Sequence, residues 1–319
     1  MSPPKGSLLD VVSLFGVSRA NRIARQRLRE FYINVAPWYA SDDLCNDPAV
    51  FIGGCGRSGT TLLREMLNRH PAIACGPETA FLCDLINPRR IAVEWELDPS
   101  RVERMAKDAP SLISFCERFF RAHAEREKKP RWADKTPRNV RALPKILSAF
   151  PYGKFIHCVR DGRDVACSLR NHPRETVRHG KVVAARVNRP IRNGAMRWFH
   201  DTSAGMAFLA HPRCLEVRYE RLVTDTEAVL REVCTFIEEP FDERMLVATG
   251  TLSDASLRLM NNRNADQHVQ QSSLSRWRRD MTLNERHDFH AVAGELLIAL
   301  GYAKDATWIH EQATDVGRD

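Results

Sequence analysis

The sequence predicts an α/β fold of three layers, with a central and mainly parallel sheet flanked by helices. The main observation is that an apolar strand leads through a turn into a helix three times, beginning near residues 50, 155 and 213. Recurring units of strand, turn and helix are typical of doubly wound α/β folds. The chain has 319 residues, 43% of them hydrophobic and 28% charged, which is enough for one large domain with a buried core.

The chain divides into an N-terminal helical extension over residues 1–48, a main domain over 49–303 and a C-terminal tail over 304–319. The extension contains a basic helix with Arg19, Arg22, Arg25, Arg27 and Arg29. A basic amphipathic helix can bind an acidic membrane or partner. Its apolar stripe is weak, however, so a solvated face is the favoured interpretation.

Local signals predict the other elements. A second helix is predicted to start in "GPETAFLCDLI", with Glu78 and Thr79 in its first turn. Residues 99–127 predict one or two helices with a break near Pro110, and "PRWADKTPRN" predicts a strand or loop that opens a helix at Pro137. The segment "ERHDFHAVAGELLIALGY" predicts a closing amphipathic helix.

Composition limits the class of protein. The formal net charge of +8 favours anionic ligands, and nucleic acid is not favoured because no helix-turn-helix, zinc-finger or RNA-binding motif is present. The nine cysteines are scattered without a C-x-x-C pair, which predicts reduced thiols and no metal site. No apolar run reaches 18 residues. We therefore expect no membrane span and a cytoplasmic protein.

The most informative stretch is "VFIGGCGRSGTTLLREMLNR", residues 50–69. A glycine-rich turn that opens a helix points unpaired N–H groups, and the positive end of the helix dipole, at an anion. Counted from Gly54 the spacing is that of a P-loop, but Thr60 stands where the lysine belongs. This P-loop-like cradle disfavours Mg²⁺-dependent ATP or GTP hydrolysis. Arg57 supplies a forked cation instead, and a glycine-rich turn that binds nothing is the alternative.

The motifs "GRSGTT", "NRHP" and "CGPET" resemble those of sulfotransferases that use 3′-phosphoadenosine 5′-phosphosulfate (PAPS). The resemblance is nearest to the branch that contains the tyrosylprotein sulfotransferases, and it runs from about Val50 to Tyr302. It implies that residues 49–303 form a sulfotransferase domain. It also implies in-line transfer of a sulfuryl group from PAPS to a hydroxyl acceptor, with 3′-phosphoadenosine 5′-phosphate (PAP) as product and no metal.

The resemblance assigns the cofactor-binding residues, which are Arg57, Ser58, Gly59, Thr60 and Thr61 for the 5′-phosphosulfate, Arg160 and Ser168 for the 3′-phosphate, Tyr219 for the nucleotide and Ser275 near the sulfate. The spacing from Arg160 puts Ser168 two helical turns into the following helix, on a face that can point back to the arginine. Alternatives remain: Arg160 in a salt bridge with Asp161 or Asp164, Tyr219 as a core residue, and Ser275 in an exposed basic turn.

Three catalytic residues are also implied. Glu78 matches the general base, Lys135 matches the lysine at the bridging oxygen, and Arg57 shares the developing charge. Glu78 could instead be a carboxylate that stabilises a helix start, and Lys135 a surface lysine. Among the histidines, His157 is expected in the core and His70 in a turn, whereas His268 lies in a long loop and is the reserve base.

The sequence departs from the tyrosylprotein pattern in two places. Ala80 stands where the family has an arginine that holds acidic peptide, and Cys75 lacks a disulfide partner because Ala133 and Asp134 stand near Lys135. The acceptor therefore stays open between a peptide tyrosine, a glycan and a small molecule. The basic loop over 170–193, expected to be mobile, could recruit an acidic peptide or glycan or be a solvated lid.

Two other functions remain open. One is a P-loop kinase-like phosphotransferase, and the other is a non-catalytic module that binds a nucleotide or polyanion. A homodimer is left open as well.

Overall fold

The computed structural model describes residues 43–84, 88–178, 181–185, 187–246 and 273–311. The strands are β1 (Val50–Gly54), β2 (Ile73–Cys75), β3 (Arg131–Lys135), β4 (Lys154–Val159), β5 (Arg174–Arg178), β6 (Lys181–Ala185) and β7 (Cys214–Arg218). Five of them form one sheet in the order β2-β3-β1-β4-β7, in which every pairing is parallel. Strands β5 and β6 form a separate antiparallel pair.

The described α-helices are α1 (Thr60–Arg69), α2 (Pro88–Trp95), α3 (Pro99–Asp108), α4 (Leu112–Arg126), α5 (Leu143–Ala149), α6 (Gly162–Arg170), α7 (Ile191–Met206), α8 (Tyr219–Thr224), α9 (Thr226–Ile237), α10 (Trp277–Asp280) and α11 (Leu283–Ala299). Three 3₁₀ helices cover Pro137–Ala142, Glu243–Leu246 and Ala306–His310. Parallel strands with crossover helices confirm the predicted α/β fold.

Strand β1 is central and fully buried, and its side chains alternate between two cores. Phe51 packs in a core with residues of α4 and α5, whereas Ile52 packs in the opposite core with Leu63 of α1. The sheet thus has helices on both faces, as the three-layer prediction requires. A third core joins α6, α7 and α11 around Trp198 and Phe289.

The position of β1 also fixes the position of the loop that follows it. Parallel strands end at the same edge of the sheet, so the residues after β1, β3 and β4 meet there. In register, Ile52 lies beside Lys135 of β3 and beside Ile156 of β4. The glycine-rich loop therefore sits between the carboxyl ends of two strands that carry predicted site residues.

Two predictions of secondary structure are wrong. Residues 76–80 form no helix, and the next helix begins only at Pro88. Thr79 and Ala80 donate hydrogen bonds through their N–H groups to the hydroxyl of Thr136, the residue that follows β3, so these groups make a long-range contact instead of a helical turn. The segment over 171–193 is not a simple loop, because it contains the β5–β6 pair.

Some predictions fall outside the described residues. These are the basic helix of the N-terminal extension up to residue 42, His268, and the tail beyond residue 311. Among the helices that the structure describes, none is long and apolar enough to cross a membrane.

Candidate active site

The glycine-rich loop makes a tight turn into α1. Gly59 has φ of +86°, and a Cβ atom there would lie 2.5 Å from Cδ2 of Tyr219, so only glycine fits this position. The first α-helical bond joins the N–H of Leu63 to the Gly59 carbonyl. The N–H groups of Thr60 and Thr61 therefore have no acceptor inside the helix and face the loop.

Arg57 contacts both residues predicted to bind the 3′-phosphate, Ser168 and Arg160. Its Nε donates to Oγ of Ser168 at 3.0 Å, and its carbonyl accepts a hydrogen bond from Nη1 of Arg160 at 3.1 Å. Its backbone is left-handed, with φ of +78°, a strained conformation of the kind that clusters at functional sites. Burial, and then the charge of Arg160, lower the pKa of the Arg57 guanidinium. An anion near both arginines would relieve this repulsion.

Arg160 is almost fully buried and has several partners. Its guanidinium lies 4.3 Å from the centroid of the Tyr219 ring, and its Nη2 donates to the carbonyl of Ser273 at 2.6 Å. The predicted alternative is also present in part, because Nη2 lies 3.8 Å from a carboxylate oxygen of Asp164. Asp161 is engaged elsewhere, with Arg163 at 2.7 Å.

The turn before α10 closes this part of the site. Tyr219 is half-buried and its hydroxyl shares a hydrogen bond of 2.7 Å with Oγ of Ser273, so it is not a simple core residue. Ser275 is exposed and left-handed, with φ of +53°. The serine that contacts the other predicted residues is Ser273, which sequence reasoning missed.

Asp164 attaches the same turn to α6. This buried carboxylate accepts a hydrogen bond of 3.0 Å from the N–H of Trp277. Burial, and then the nearby charge of Asp161, raise the pKa of Asp164 to about 7, although Arg160 opposes the shift. A buried carboxyl with a raised pKa thus holds the turn that contains Ser273 and Ser275.

Glu78 and Lys135 meet at the rim of the loop. Nζ of Lys135 donates to Oε1 of Glu78 at 2.5 Å and to Oγ1 of Thr61 at 3.3 Å. The Lys135 side chain is only 3% exposed, whereas that of Glu78 is 38% exposed. Lys135 is therefore not a surface lysine, and Glu78 does not start a helix. The two predicted catalytic groups form one ion pair beside the glycine-rich loop.

A buried polar network lies next to this pair and was not predicted. Asp134 accepts hydrogen bonds from Thr79 Oγ1 at 3.3 Å, Thr136 Oγ1 at 3.2 Å and Asn139 Nδ2 at 2.8 Å. Burial raises the pKa of Asp134 to about 6, while these hydrogen bonds oppose the shift. The sequence signal for the network is the succession Asp134, Lys135 and Thr136, and the structure shows that the strand ending there is buried along its whole length.

The histidines are placed largely as expected. His157 is buried in β4, burial lowers its pKa to about 4, and neither ring nitrogen has a hydrogen bond among the described residues. His70 lies in a turn and contacts the carbonyl of Pro240 through Nε2 at 2.8 Å. His172 was overlooked: burial, and then the charge of Arg57, lower its pKa to about 4, which puts it in the electrostatic field of the site.

Arg197 was also missed. A Cβ on Gly56 would lie 3.0 Å from Nη2 of Arg197, so this guanidinium borders the loop. Its Nε lies 3.6 Å from the fully buried Asp201, which also accepts a 2.5 Å hydrogen bond from Arg141. An arginine more than a hundred residues from the loop carries no local signal that would assign it there.

The nine cysteines are all unbonded, as predicted. The register places Cys75 beside Ala133, so no second sulfur faces it on β3. Ala80 is left-handed, with φ of +57°. Outside the site, Cys45, Asp47 and Glu117 lie close enough to hold a metal ion, but Arg121 already pairs with both carboxylates.

Comparisons with known proteins identify the family of the chain. The model of the sulfotransferase family matches residues 48–243, more than half of the chain. A protein-tyrosine sulfotransferase of Drosophila melanogaster is 29% identical over 238 residues, covering 73% of this chain and 46% of the relative. Protein-tyrosine sulfotransferase 1 of Danio rerio is 30% identical over 271 residues, covering 80% of this chain and 72% of that relative. This chain thus spans about half of the first relative and most of the second.

Solved structures show the same fold. The sulfotransferase domain of the Synechococcus PCC 7002 olefin synthase has a TM-score of 0.58 at 23% identity, covering 81% of this chain and 98% of that domain. A mouse sulfotransferase complexed with PAP has a TM-score of 0.51 at 15% identity, covering 88% of this chain and 95% of the mouse chain. The structural likenesses concern the fold, and the family model confirms the predicted kind of enzyme: the chain belongs to the sulfotransferase family.

Proposed function

We propose that the chain transfers a sulfuryl group from PAPS to a hydroxyl acceptor and releases PAP. The observation that carries this proposal is the position of Nζ of Lys135, between Thr61 of the anion cradle and the carboxylate of Glu78. Transfer of a sulfuryl group to a hydroxyl needs two groups, a cation at the leaving oxygen and a proton acceptor. The buried Lys135 and the neighbouring Glu78 supply them in this proposal.

The residues present fit a nucleotide with two anionic ends. Oγ of Ser58 and Nε of Arg160 are buried and make no hydrogen bond among the described residues. Buried polar groups normally have partners, and phosphate oxygens are strong acceptors for them. In this proposal Ser58 and the first turn of α1 hold the 5′-phosphosulfate. Arg160 and Ser168 hold the 3′-phosphate.

Two further residues shape the nucleotide site in this proposal. Tyr219 lies between Gly59 of the loop and the guanidinium of Arg160, so its ring supports both anionic ends. Ser275 lies in the turn that Asp164 and Arg160 hold against α6. The left-handed backbone of Ser275 presents this residue on the exposed side of that turn.

The chemistry divides between the two members of the ion pair. When bound, PAPS supplies the sulfuryl group and a leaving phosphate oxygen that becomes more negative. Lys135 neutralises that charge from the end of β3, and Arg57 shares it from within the loop. Glu78 takes the proton of the acceptor hydroxyl, because its carboxylate is partly exposed while its partner is buried.

The acceptor carries a hydroxyl, and a peptide tyrosine is the first to test because the named relatives are protein-tyrosine sulfotransferases. A glycan or a small molecule is the alternative, since Ala80 stands where the resemblance implies an acceptor-binding arginine. Transfer of labelled sulfate from PAPS into a lysate of the source organism, followed by mass spectrometry of the product, would identify it.

Calorimetry with PAP tests the proposal directly. The intact protein should bind PAP, and the kinase alternative predicts instead that Mg²⁺-ATP displaces it. Absence of any binding would refute the proposal. If the intact protein binds PAP but forms no PAP from PAPS, the chain is a non-catalytic nucleotide-binding module.

We also propose a cytoplasmic location, supported by the unbonded state of the cysteines. Alkylation of protein freshly denatured from source cells should label nine thiols. Protection of a pair of thiols from alkylation until a reductant is added would contradict this location.

A further inference from the structure

We propose that Asp134, Thr136 and Thr79 form a polar clamp that positions Glu78 as the base of the reaction. The proposal rests on the proposed function, in which Glu78 takes the proton. It assigns Asp134 and Thr136 as positioning residues, since their side chains act on the backbone that carries Glu78 and not on the reacting atoms.

The hydroxyl of Thr136 is the centre of the polar clamp. Oγ1 accepts hydrogen bonds from the N–H of Thr79 at 3.3 Å and the N–H of Ala80 at 3.1 Å, and it donates one to Oδ1 of Asp134 at 3.2 Å. A hydroxyl has one proton and two lone pairs, so these three bonds use its full capacity. No other side chain of similar size could make this set of bonds except serine.

Asp134 keeps that hydroxyl in one orientation. The carboxylate accepts hydrogen bonds from Thr136, Thr79 and Asn139, and all four residues are buried. Because the carboxylate is an acceptor, the Thr136 proton points to it and both lone pairs are left for the two backbone N–H groups. A fully satisfied network of this kind is rigid, since breaking any bond would leave a buried polar group without a partner.

The polar clamp is tied to the strand from which the anion cradle begins. The N–H of Thr136 donates to the carbonyl of Ile52 in β1 at 3.2 Å. The same stretch of chain thus reaches the cradle through its backbone and the segment of Glu78 through its side chain. Glu78 is placed relative to the cradle through one fixed residue.

The effect on Glu78 is direct. The N–H of Thr79 belongs to the peptide group that follows Glu78, so its bond to Thr136 fixes the plane of that peptide. The bond to Ala80 holds a residue with φ of +57°, a left-handed conformation that is unfavourable for alanine. Lys135, which precedes Thr136, holds the Glu78 carboxylate at 2.5 Å. Adjacent residues therefore fix the backbone and the side chain of the base.

The test uses Thr136→Val, which keeps the shape and removes the hydroxyl, and Thr136→Ser, which keeps the hydroxyl. Hydrogen exchange of the Thr79 and Ala80 amides reports on the polar clamp without any need for activity. Both amides should be protected in the wild type and in the serine variant, and should exchange at least tenfold faster in the valine variant. Rapid exchange of these amides in the wild type would overturn the proposal even if the valine variant fails to fold.

Kinetics then test the link to Glu78. The rate at which PAPS is hydrolysed to PAP and sulfate, with water as the acceptor, should fall at least tenfold in Thr136→Val and recover in Thr136→Ser. The Kd of PAP should stay within about twofold of the wild-type value in both variants. In a Glu78→Gln background the valine substitution should have no further effect, because the group it positions is gone. Equal losses in both backgrounds would refute a positioning role.

These results separate the inference from the proposed function. If PAP binds but Glu78→Gln releases PAP as fast as the wild type, Glu78 is not the base and the proposed mechanism fails. In that case protected amides still establish the polar clamp as a structural feature, and its assignment as a positioning device for a base is withdrawn.

Discussion

Replacing Glu78 by Gln should destabilise the protein without nucleotide and strengthen its binding of PAP. The reason is the asymmetry of the ion pair, because Lys135 is 3% exposed and Glu78 is 38% exposed. Removal of one partner of a fully buried pair costs about 3–5 kcal/mol, since the other charge stays buried. A glutamine can still accept one hydrogen bond from Nζ, so we expect a loss of about 2 kcal/mol in the free energy of unfolding.

Bound PAP should offset this loss. Its phosphate can pair with the ammonium that Glu78 no longer neutralises, and the repulsion between carboxylate and phosphate disappears. If about 1.4 kcal/mol of the lost attraction returns on binding, the Kd of PAP should fall about tenfold. Urea unfolding at pH 7.5, with and without saturating PAP, and calorimetry together measure both quantities.

Lys135→Met is the matched control, because it removes the other charge at similar volume. It should weaken PAP binding and destabilise the protein less than Glu78→Gln, since water can solvate a partly exposed carboxylate. The reasoning is refuted if the Glu78→Gln protein is as stable as the wild type and binds PAP more weakly. That outcome would mean that the carboxylate, and not the buried ammonium, determines the local balance of charge.

Three further predictions concern the nucleotide side of the site. Arg160→Ala should weaken PAP about a hundredfold but leave 5′-AMP, which lacks the 3′-phosphate, nearly unaffected in the same calorimetric assay. Asp164→Asn should flatten the pH dependence of stability. The raised pKa of Asp164 means that the native state favours the proton, so its contribution is complete below pH 3.8 and is lost as the pH rises through about 7. Urea unfolding between pH 4 and 8 should show the wild type losing about 2–4 kcal/mol more than the variant. Gly59→Ala should cost about 1–3 kcal/mol in unfolding free energy and weaken PAP, because the new methyl group would meet Tyr219.

Local sequence patterns predicted the long helices and the strands that lead directly through a turn into a helix. The strand, turn and helix around Gly54 and around Asp161 have a clear apolar strand followed at once by a helix start, and both are present. The strand Ile73–Cys75 has only three residues, which is too short for a periodic signal. The predicted helix after Gly76 failed because the side chain of Thr136, the residue that follows β3, accepts hydrogen bonds from the N–H groups of Thr79 and Ala80, a contact that no local pattern contains.

The site was predictable where its residues lie in motifs and not where long-range contacts assemble it. Arg57, Arg160 and Ser168 stand in recognisable stretches, and the structure brings them into contact. Ser273 and Arg197 reach the same place from remote parts of the chain, and neither stands in a motif. Tertiary packing brings these two residues to the site, so periodicity and spacing in the sequence could not predict them.

The sequence of β3 also implies a polar partner segment. The segment "RWADK" was a candidate strand, and a strand in the middle of a parallel sheet is buried on both faces. Asp134 and Lys135 cannot be buried there as isolated charges, because desolvation would cost several kcal/mol for each. Each therefore needs partners from outside its own strand, and the structure supplies Glu78 for the lysine and Thr79 with Asn139 for the aspartate. Consecutive charged residues in a buried strand thus require an opposing polar segment, and in this protein that segment carries the proposed base.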